Sequence, residues 1–310
     1  MRVTNWAERL SETQFAYLLL FPALLLLVVI AFWPLARTFE MSLHGDALTG
    51  AENIGELVSI DNYVALLTGA RDAVLGVSFF DLSNLFTSAV TVTMIFAAVS
   101  VALETLLGFA AALVLDKEFT GRRWVRVALI LPWSVPIVIQ GMIFFLMFAP
   151  GVGFATPFLN DLGLMSGTPL NNSVDSMVII ITADVWKTTA FMMLLILAGL
   201  QSIDRELYNV GKVAGASRWQ QFKLITFPLV LPAVLVAMLF RTINAMRVFG
   251  LIESVSGCGT VPSLSCAVVS TFSSRRYGTS AAIAFITAAI IGVVVTIYIV
   301  RFARSERGAI

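Results

Sequence analysis

Apolar residues concentrate in six long runs, and the segments between the runs carry most of the charge. The first run, residues 15–33, has no charged residue in 19 positions. A helix of that length, at about 1.5 Å per residue, spans about 28 Å and so matches the hydrocarbon thickness of a bilayer. The other runs lie near residues 88–115, 127–149, 177–200, 224–252 and 281–302. This pattern predicts six membrane-spanning helices and an all-α membrane protein.

The distribution of Lys and Arg predicts the orientation, because basic residues are retained on the cytoplasmic side of a membrane. With the N-terminus inside, the inner segments hold 13 of the 20 basic residues and the outer segments hold 4. The other three, Lys187, Arg241 and Arg247, lie within or at the ends of predicted helices. Both termini are therefore expected in the cytoplasm.

Composition supports a membrane protein and narrows the chemistry. The chain is 58% hydrophobic and 13% charged, which is more apolar surface than a soluble core of ordinary size would hide. A net charge of +1 and a single histidine, His44, give no reason to expect a nucleic-acid partner or a metal site. Cys258 and Cys266 share one outer segment, where a disulfide and two free thiols are both compatible with the sequence.

The runs and loops divide the chain into four parts. Helices two to six form one expected domain, and helix one packs on its side. A short helix is expected around residues 62–67 in the outer segment. The parts are an N-terminal cytoplasmic segment with the first membrane helix (1–35), an extracytoplasmic segment (36–86), a core of five membrane helices (87–303) and a cytoplasmic tail (304–310).

The segment 201–223, expected in the cytoplasm, has the signals of an ordered structure. We call it the docking segment. Leu207, Val210 and Ala214 recur at helical spacing, and Gly215 supplies the permissive backbone that ends a helix. The pattern predicts a first helix that stops at a glycine turn.

A second helix is expected immediately after that turn. Asp204 is suited to cap the first helix, and Ser217 with Gln220 forms a capping-box pattern for the second. Trp219 and Phe222 then share one face. A short helix with an apolar stripe fits a groove on a soluble partner, and an amphipathic helix lying on the lipid headgroups is the alternative.

The docking segment resembles the EAA loop of binding-protein-dependent ABC importer permeases, in their carbohydrate-uptake branch. The matching residues are Gly215, Ala216, Ser217, Trp219, Phe222, Ile225 and Pro228. The stretch VWKTTAFMMLLILAGLQSI, residues 185–203, is similar to the preceding helix of that family. The resemblance implies six membrane helices in the type I ABC importer permease (MetI-like) fold, with both termini inside.

The sequence departs from the family pattern inside the loop. Asn209, Val210 and Gly211 occupy the Glu-Ala-Ala positions, and Ala214 replaces an Asp. An asparagine cannot form a charge-assisted pair with an arginine, so docking by shape is expected to outweigh a salt bridge at Asn209. The predicted ATPase-docking residues are Glu206, Leu207, Asn209, Val210, Gly211, Gly215, Ala216, Ser217, Trp219 and Phe222.

Polar residues within the apolar runs are candidates for a translocation path, because ionisable groups inside membranes tend to face cavities. The candidates are Trp133, Gln140, Asp184, Lys187, Arg241 and Asn244. Asp184 and Lys187 are three residues apart and could neutralise each other, and Arg241 and Asn244 share one helix side. Pairing between helices and snorkelling to the membrane surface are alternatives, and Trp133 also suits an interfacial belt.

The resemblance implies a non-catalytic permease subunit in the plasma (inner or cell) membrane. The chain contains no phosphate-binding loop, so ATP and Mg²⁺ are expected on a separate ATPase chain and no cofactor on this one. The implied partners are a second permease subunit, a cytoplasmic ABC ATPase dimer, an extracytoplasmic solute-binding protein and membrane lipid, with a carbohydrate as substrate. The alternatives are a self-contained secondary carrier, coupled through Asp184, Glu104 and the intramembrane arginines Arg241 and Arg247, and an ABC permease for a non-sugar solute.

Overall fold

A computed structural model describes the backbone of residues 11–48 and 54–307, with side chains through Arg301. Residues 1–10 of the predicted N-terminal segment and 308–310 of the predicted tail lie outside the described residues. The helices, in chain order, are α1 (Glu12–Ser42), α2 (Asp61–Leu67), α3 (Asp72–Leu75), α4 (Ala89–Leu115), α5 (Arg122–Ser134), α6 (Ile137–Phe148), α7 (Ala155–Asp161), α8 (Ser173–Gln201), α9 (Arg205–Val213), α10 (Arg218–Ala245), α11 (Gly250–Val255), α12 (Leu264–Ser273) and α13 (Tyr277–Arg307).

Within residues 11–48 and 54–307, five helices, α1, α4, α8, α10 and α13, are long and apolar enough to cross a membrane. The pair α5 and α6 makes a sixth span if it is counted as one. The all-α fold and the number of spans predicted from the apolar runs are therefore confirmed. The short helix expected around residue 62 is α2.

The third predicted span, 127–149, is not one continuous helix, in agreement with the break that Pro132 and Pro136 predict near its start. It is broken into α5 and α6, which meet at an angle of 94°. Pro136 has no amide hydrogen to donate, and its ring forces Val135 into an extended conformation with ψ 128°. Pro132 lies one turn earlier and begins the tight turn at the end of α5. The bend brings the first turn of α6 to α8, where Gln140 donates a hydrogen bond to the backbone oxygen of Ala183.

The fifth predicted span, 224–252, is also corrected at its end. Helix α10 ends at Ala245, and α11 begins separately at Gly250. The amide of Arg247 donates to Asn244 and that of Val248 donates to Ala245, so the last turn tightens before the chain leaves the helix. Arg247 therefore lies in the break between two helices.

The long helix α8 is the centre of the core and packs against α4 and α10. Met192, Met193 and Ile196 on α8 are fully buried. Gly108 permits the close approach of α4 to α8, because a Cβ atom there would lie 2.7 Å from Cβ of Met192. Residues from α6 and α11 complete the core toward the outer side.

Gly108→Ala is expected to lower the free energy of unfolding by about 1–3 kcal/mol, because α4 and α8 must separate to admit the methyl group. Gly292→Ala, on α13, is the matched control, since nothing lies within 4 Å of a Cβ atom there. The control is expected to be neutral or stabilising by up to about 1 kcal/mol. Thermal unfolding of the purified protein in detergent measures both, and equal midpoints for the two variants would contradict the packing argument.

Polar contacts tie the outer segment to the start of α13. The carboxylate of Asp46 accepts hydrogen bonds from the amide of Thr279 at 2.9 Å and from Arg71 at 3.1 Å. Asn62 on α2 donates to the backbone oxygens of Ser42 and His44. These contacts join segments that the basic-residue count assigns to the outer side.

Cys258 and Cys266 form a disulfide, which resolves the alternative left open by the sequence. The bond closes the loop between α11 and α12, and Cys266 is buried.

The first span, α1, is largely exposed at its start, since residues Glu12–Leu27 include no buried side chain. Further along α1, the ring of Phe39 packs edge-on against Phe285 of α13, with 5.2 Å between the ring centroids.

Candidate functional site

The docking segment folds into two helices joined by a glycine turn. Asp204 caps α9 by accepting a hydrogen bond from the amide of Glu206 at 2.9 Å. Gly215 has φ +79°, the left-handed region that glycine adopts without strain. Ser217 and Gln220 form the predicted capping box at the start of α10, with both hydrogen bonds present. The local structure predicted from the capping signals is confirmed.

The docking segment presents apolar side chains outward. Val210 and Trp219 are 67% and 69% exposed, and Leu207 is exposed beside them. Val213 is 91% exposed, the most exposed large apolar residue among those described in the chain. The stripe of residues 207, 210 and 213 follows helical spacing on α9, so one side of this helix is an exposed apolar surface.

Side-chain contacts on the face of α9 that is turned toward α10 hold the two helices together. The Tyr208 hydroxyl lies 3.0 Å from the Thr226 hydroxyl. A Cβ atom at Gly211 would lie 3.2 Å from Ile225, so the glycine brings α9 close to α10. Phe222 is half-buried and stacks on Trp219, with ring centroids 5.5 Å apart.

A surface ion pair fixes the other end of α9. The two terminal nitrogens of the Arg205 guanidinium, Nη1 and Nη2, donate to the carboxylate of Asp116, at 3.2 and 2.9 Å. Asp116 directly follows α4, so the pair joins two segments that the basic-residue count assigns to the cytoplasmic side. Because the Arg205 side chain is largely exposed, the pair orients α9 more than it stabilises the fold.

Three charged side chains meet in the core where α4, α8 and α10 come together, and we call them the charge cluster: Glu104, Asp184 and Arg241. Arg241 donates from Nε to Glu104 at 2.5 Å and from Nη2 to Glu104 at 3.0 Å. Nη2 also pairs with Asp184. Thr188 of α8 donates its hydroxyl hydrogen to Glu104 at 2.5 Å. All three charged residues are buried.

A cavity of about 270 Å³ lies beside the charge cluster and is lined by both polar and apolar residues; we call it the polar cavity after the charged and amide side chains in its wall. Five of the six predicted path residues line it: Gln140, Asp184, Lys187, Arg241 and Asn244. The sixth, Trp133, does not line it; its ring is 6.3 Å from that of Phe191 and 45% exposed. The bend before α6 places Ile137 and Gln140 on the cavity wall, since both lie in the first turns of α6.

The pairing proposed from local spacing is not the one observed. Asp184 pairs with Arg241 across two helices, and among the described residues Lys187 makes no ion pair within 4 Å. Asn244 donates to the backbone oxygen of Phe240 and makes no hydrogen bond to Arg241. Pairing between helices, the alternative to local neutralisation, is therefore the arrangement present.

Sequence reasoning missed several cavity residues. Thr188 lies one helical turn after Asp184, so its spacing was a signal. Phe249 and Gly250 line the cavity because α10 ends early, and no sequence pattern marked that end. Arg247, which the sequence already shows as a charge within an apolar run, lines the cavity for the same reason. Gln140, one of the predicted path residues, is buried and donates to the backbone oxygen of Ala183 at 2.6 Å, which joins α6 to α8.

Among the described residues, no cluster of His, Cys, Asp and Glu could hold a metal ion.

Comparison with known proteins gives consistent matches. Residues 104–308 match the family described as binding-protein-dependent transport system inner membrane component. The trehalose/maltose transport system permease protein MalF of Thermococcus litoralis is 36% identical over 279 residues, which are 89% of each chain. The trehalose transport system permease protein SugA of Mycobacterium tuberculosis is 32% identical over 250 residues, 81% of this chain and 75% of that one.

A solved structure has the same fold. The crystal structure of a bacterial ABC transporter involved in the import of the acidic polysaccharide alginate contains a chain that matches with a TM-score of 0.73. The match covers 98% of this chain and 99% of that chain, at 20% sequence identity. At that identity the likeness establishes the fold alone.

Proposed function

Because the chain belongs to the family of inner membrane components of binding-protein-dependent transport systems, we propose that it is a permease subunit of an ATP-driven carbohydrate importer. The observation that carries the substrate class is the 36% identity, over 89% of the chain, to a trehalose/maltose permease. The five long apolar helices and the broken sixth make it a multi-pass protein of the cell membrane.

The docking segment is proposed as the contact with a cytoplasmic ABC ATPase, which would carry ATP and Mg²⁺. Its exposed apolar stripe supports this role, because an apolar helix face suits a groove on a soluble protein. Asn209 and Val210 are exposed, as a contact surface requires. The rigid turn at Gly215 and the anchor of Arg205 on Asp116 hold the stripe in one orientation.

The polar cavity is proposed as part of the translocation path, shared with a second permease subunit. Lys187, Asn244 and Arg247 provide hydrogen-bond donors at its wall. Sugar hydroxyl groups accept such bonds, and the apolar residues Ile137 and Phe249 offer contact to the carbon side of a sugar ring. A solute-binding protein would deliver the sugar from the outer side.

Transport would proceed by alternating access. Closure of the ATPase dimer moves the docking segments, and the two permease subunits rock between an outward-open and an inward-open state. ATP supplies the differential binding energy that shifts the equilibrium. In this mechanism the chain forms no covalent intermediate with its solute.

Purification in mild detergent, after expression with the neighbouring genes, tests the assignment. An ATPase chain is expected to co-purify, and its hydrolysis rate is expected to rise when the sugar-loaded binding protein is added. Addition of the binding protein without sugar is the control. A purified chain that carries no ATPase in any detergent and binds its solute alone would contradict the proposal and favour a secondary carrier.

A further inference from the structure

The charge cluster connects the two parts of the proposed machinery. Helices α8 and α10 enter and leave the docking segment, and Asp184 and Arg241 lie on them. Glu104 belongs to α4, whose C-terminal Asp116 holds Arg205 of the docking segment. Asp184 and Arg241 also line the polar cavity. The charge cluster therefore borders the cavity and joins α4, α8 and α10, the three helices whose ends contact or continue into the docking segment.

The charge cluster lies far from the docking segment, so a movement of that segment must be transmitted along the helices to reach the cavity. At about 1.5 Å per residue, the cluster lies about 26 Å from the end of α8 and about 35 Å from the start of α10. Between these points α10 contains a π-helical turn, Phe222–Thr226, and a proline inside the helix, Pro232. Such features are the usual places where helices bend. If α10 were free to bend at these points, a displacement of the docking segment would not reach the cavity. Contacts that hold α10 against neighbouring helices oppose such bending.

Stability alone does not account for the cluster. Replacing a complete buried set of charges by well-packed hydrophobic side chains of similar volume is often neutral or even stabilising, because the desolvation cost disappears with the charges. The bidentate contact of Arg241 with Glu104 instead restricts orientation, since a planar guanidinium accepts few geometries. The arrangement is suited to hold three helices in fixed register.

We propose that Arg241 is a positioning residue for transport: through Glu104 and Asp184 it makes α4, α8 and α10 one rigid block, so that movement of the docking segment changes the cavity. The inference rests on the proposed function. It predicts that loss of the charges separates ATP hydrolysis from sugar movement while the fold persists.

The test compares the reconstituted wild-type complex with the triple variant E104L/D184V/R241M, which replaces all three charges by hydrophobic side chains, in the same complex. The variant is expected to assemble with an unfolding midpoint equal to or above that of the wild type. The number of ATP molecules hydrolysed per sugar imported is expected to rise at least about fivefold, the lower end of typical coupling between sites. An unchanged ratio in an assembled variant would overturn the proposal.

Two further variants keep the test decisive. Arg241→Lys retains the charge but loses the bidentate fork. Its number of ATP molecules hydrolysed per sugar imported is expected to lie between the values of the wild type and the triple variant. If the triple variant does not assemble, a wild-type ratio in Arg241→Lys overturns the proposal. R37M/E40Q removes an exposed ion pair from α1 and is expected to leave the ratio unchanged. Failure of the wild-type complex to import sugar would instead overturn the proposed function itself.

Discussion

Arg241→Ala alone is expected to reduce the free energy of unfolding by about 3–5 kcal/mol, the cost of removing one partner from a buried ion pair. The substitution leaves Glu104 and Asp184 buried, close together and without a counter-charge. It also removes the side chain that joins α10 to α4 and α8. Unfolding of the purified chain in detergent, followed by circular dichroism against denaturant or temperature, measures the loss.

Arg247→Ala is the matched control for stability. Arg247 lies six positions later, is exposed and makes no ion pair within 4 Å among the described residues. Its replacement is expected to change the free energy of unfolding by no more than about 0.5 kcal/mol. Equal losses in the two variants would mean that the charge cluster does not hold the helices together.

Gly215→Val is expected to release the ATPase from the purified complex. Gly215 has φ +79°, and a side chain in that conformation costs about 1–2 kcal/mol, more for a β-branched residue. The strain is relieved when the turn between α9 and α10 changes shape, which moves the exposed stripe at Leu207 and Val210. Co-purified ATPase per chain, measured by its hydrolysis rate, reports the loss.

Two glycine variants separate strain at the turn from a general effect of added volume. Gly215→Asn is expected to keep the ATPase, because asparagine tolerates the left-handed conformation. Gly259→Val adds the same volume in open space on the outer side, without a positive φ, and is expected to have no effect. Full retention of ATPase by Gly215→Val would contradict the role of the turn.

The docking segment was predictable because its signals are local. A cap at Asp204, a capping box at Ser217 and a glycine turn each depend on residues within three or four positions. The exposure of Val213 was not predictable, since the side of α9 that faces α10 depends on contacts such as Tyr208 with Thr226. Local chemistry defined the two helices, and packing selected their exposed face.

The spans were predictable in number but not in shape. Apolar length identifies a helix that can cross a membrane, and it does not reveal that α5 and α6 meet at 94°. The prolines at 132 and 136 indicated a break, whereas the packing of Phe144 on α6 in one buried cluster with Leu251 on α11 required the structure. The early end of α10, which places Arg247 at the cavity, had no marker in the sequence.

The charge cluster required the structure. Glu104 and Arg241 are 137 positions apart, and Asp184 and Arg241 are 57 apart. Spacing along one helix pointed to Lys187 as the partner of Asp184, because periodicity describes neighbours within a helix and not across helices. Each charge was recognised as unusual within an apolar run, and only packing shows which of them meet.

Uptake of radiolabelled trehalose or maltose into liposomes tests the central claim most directly. Liposomes that contain this chain, its second permease and the ATPase are expected to accumulate the sugar only with ATP inside and loaded binding protein outside. Liposomes with this chain alone are expected to accumulate none. Accumulation by this chain alone, driven by an ion gradient and without ATP, would contradict the account.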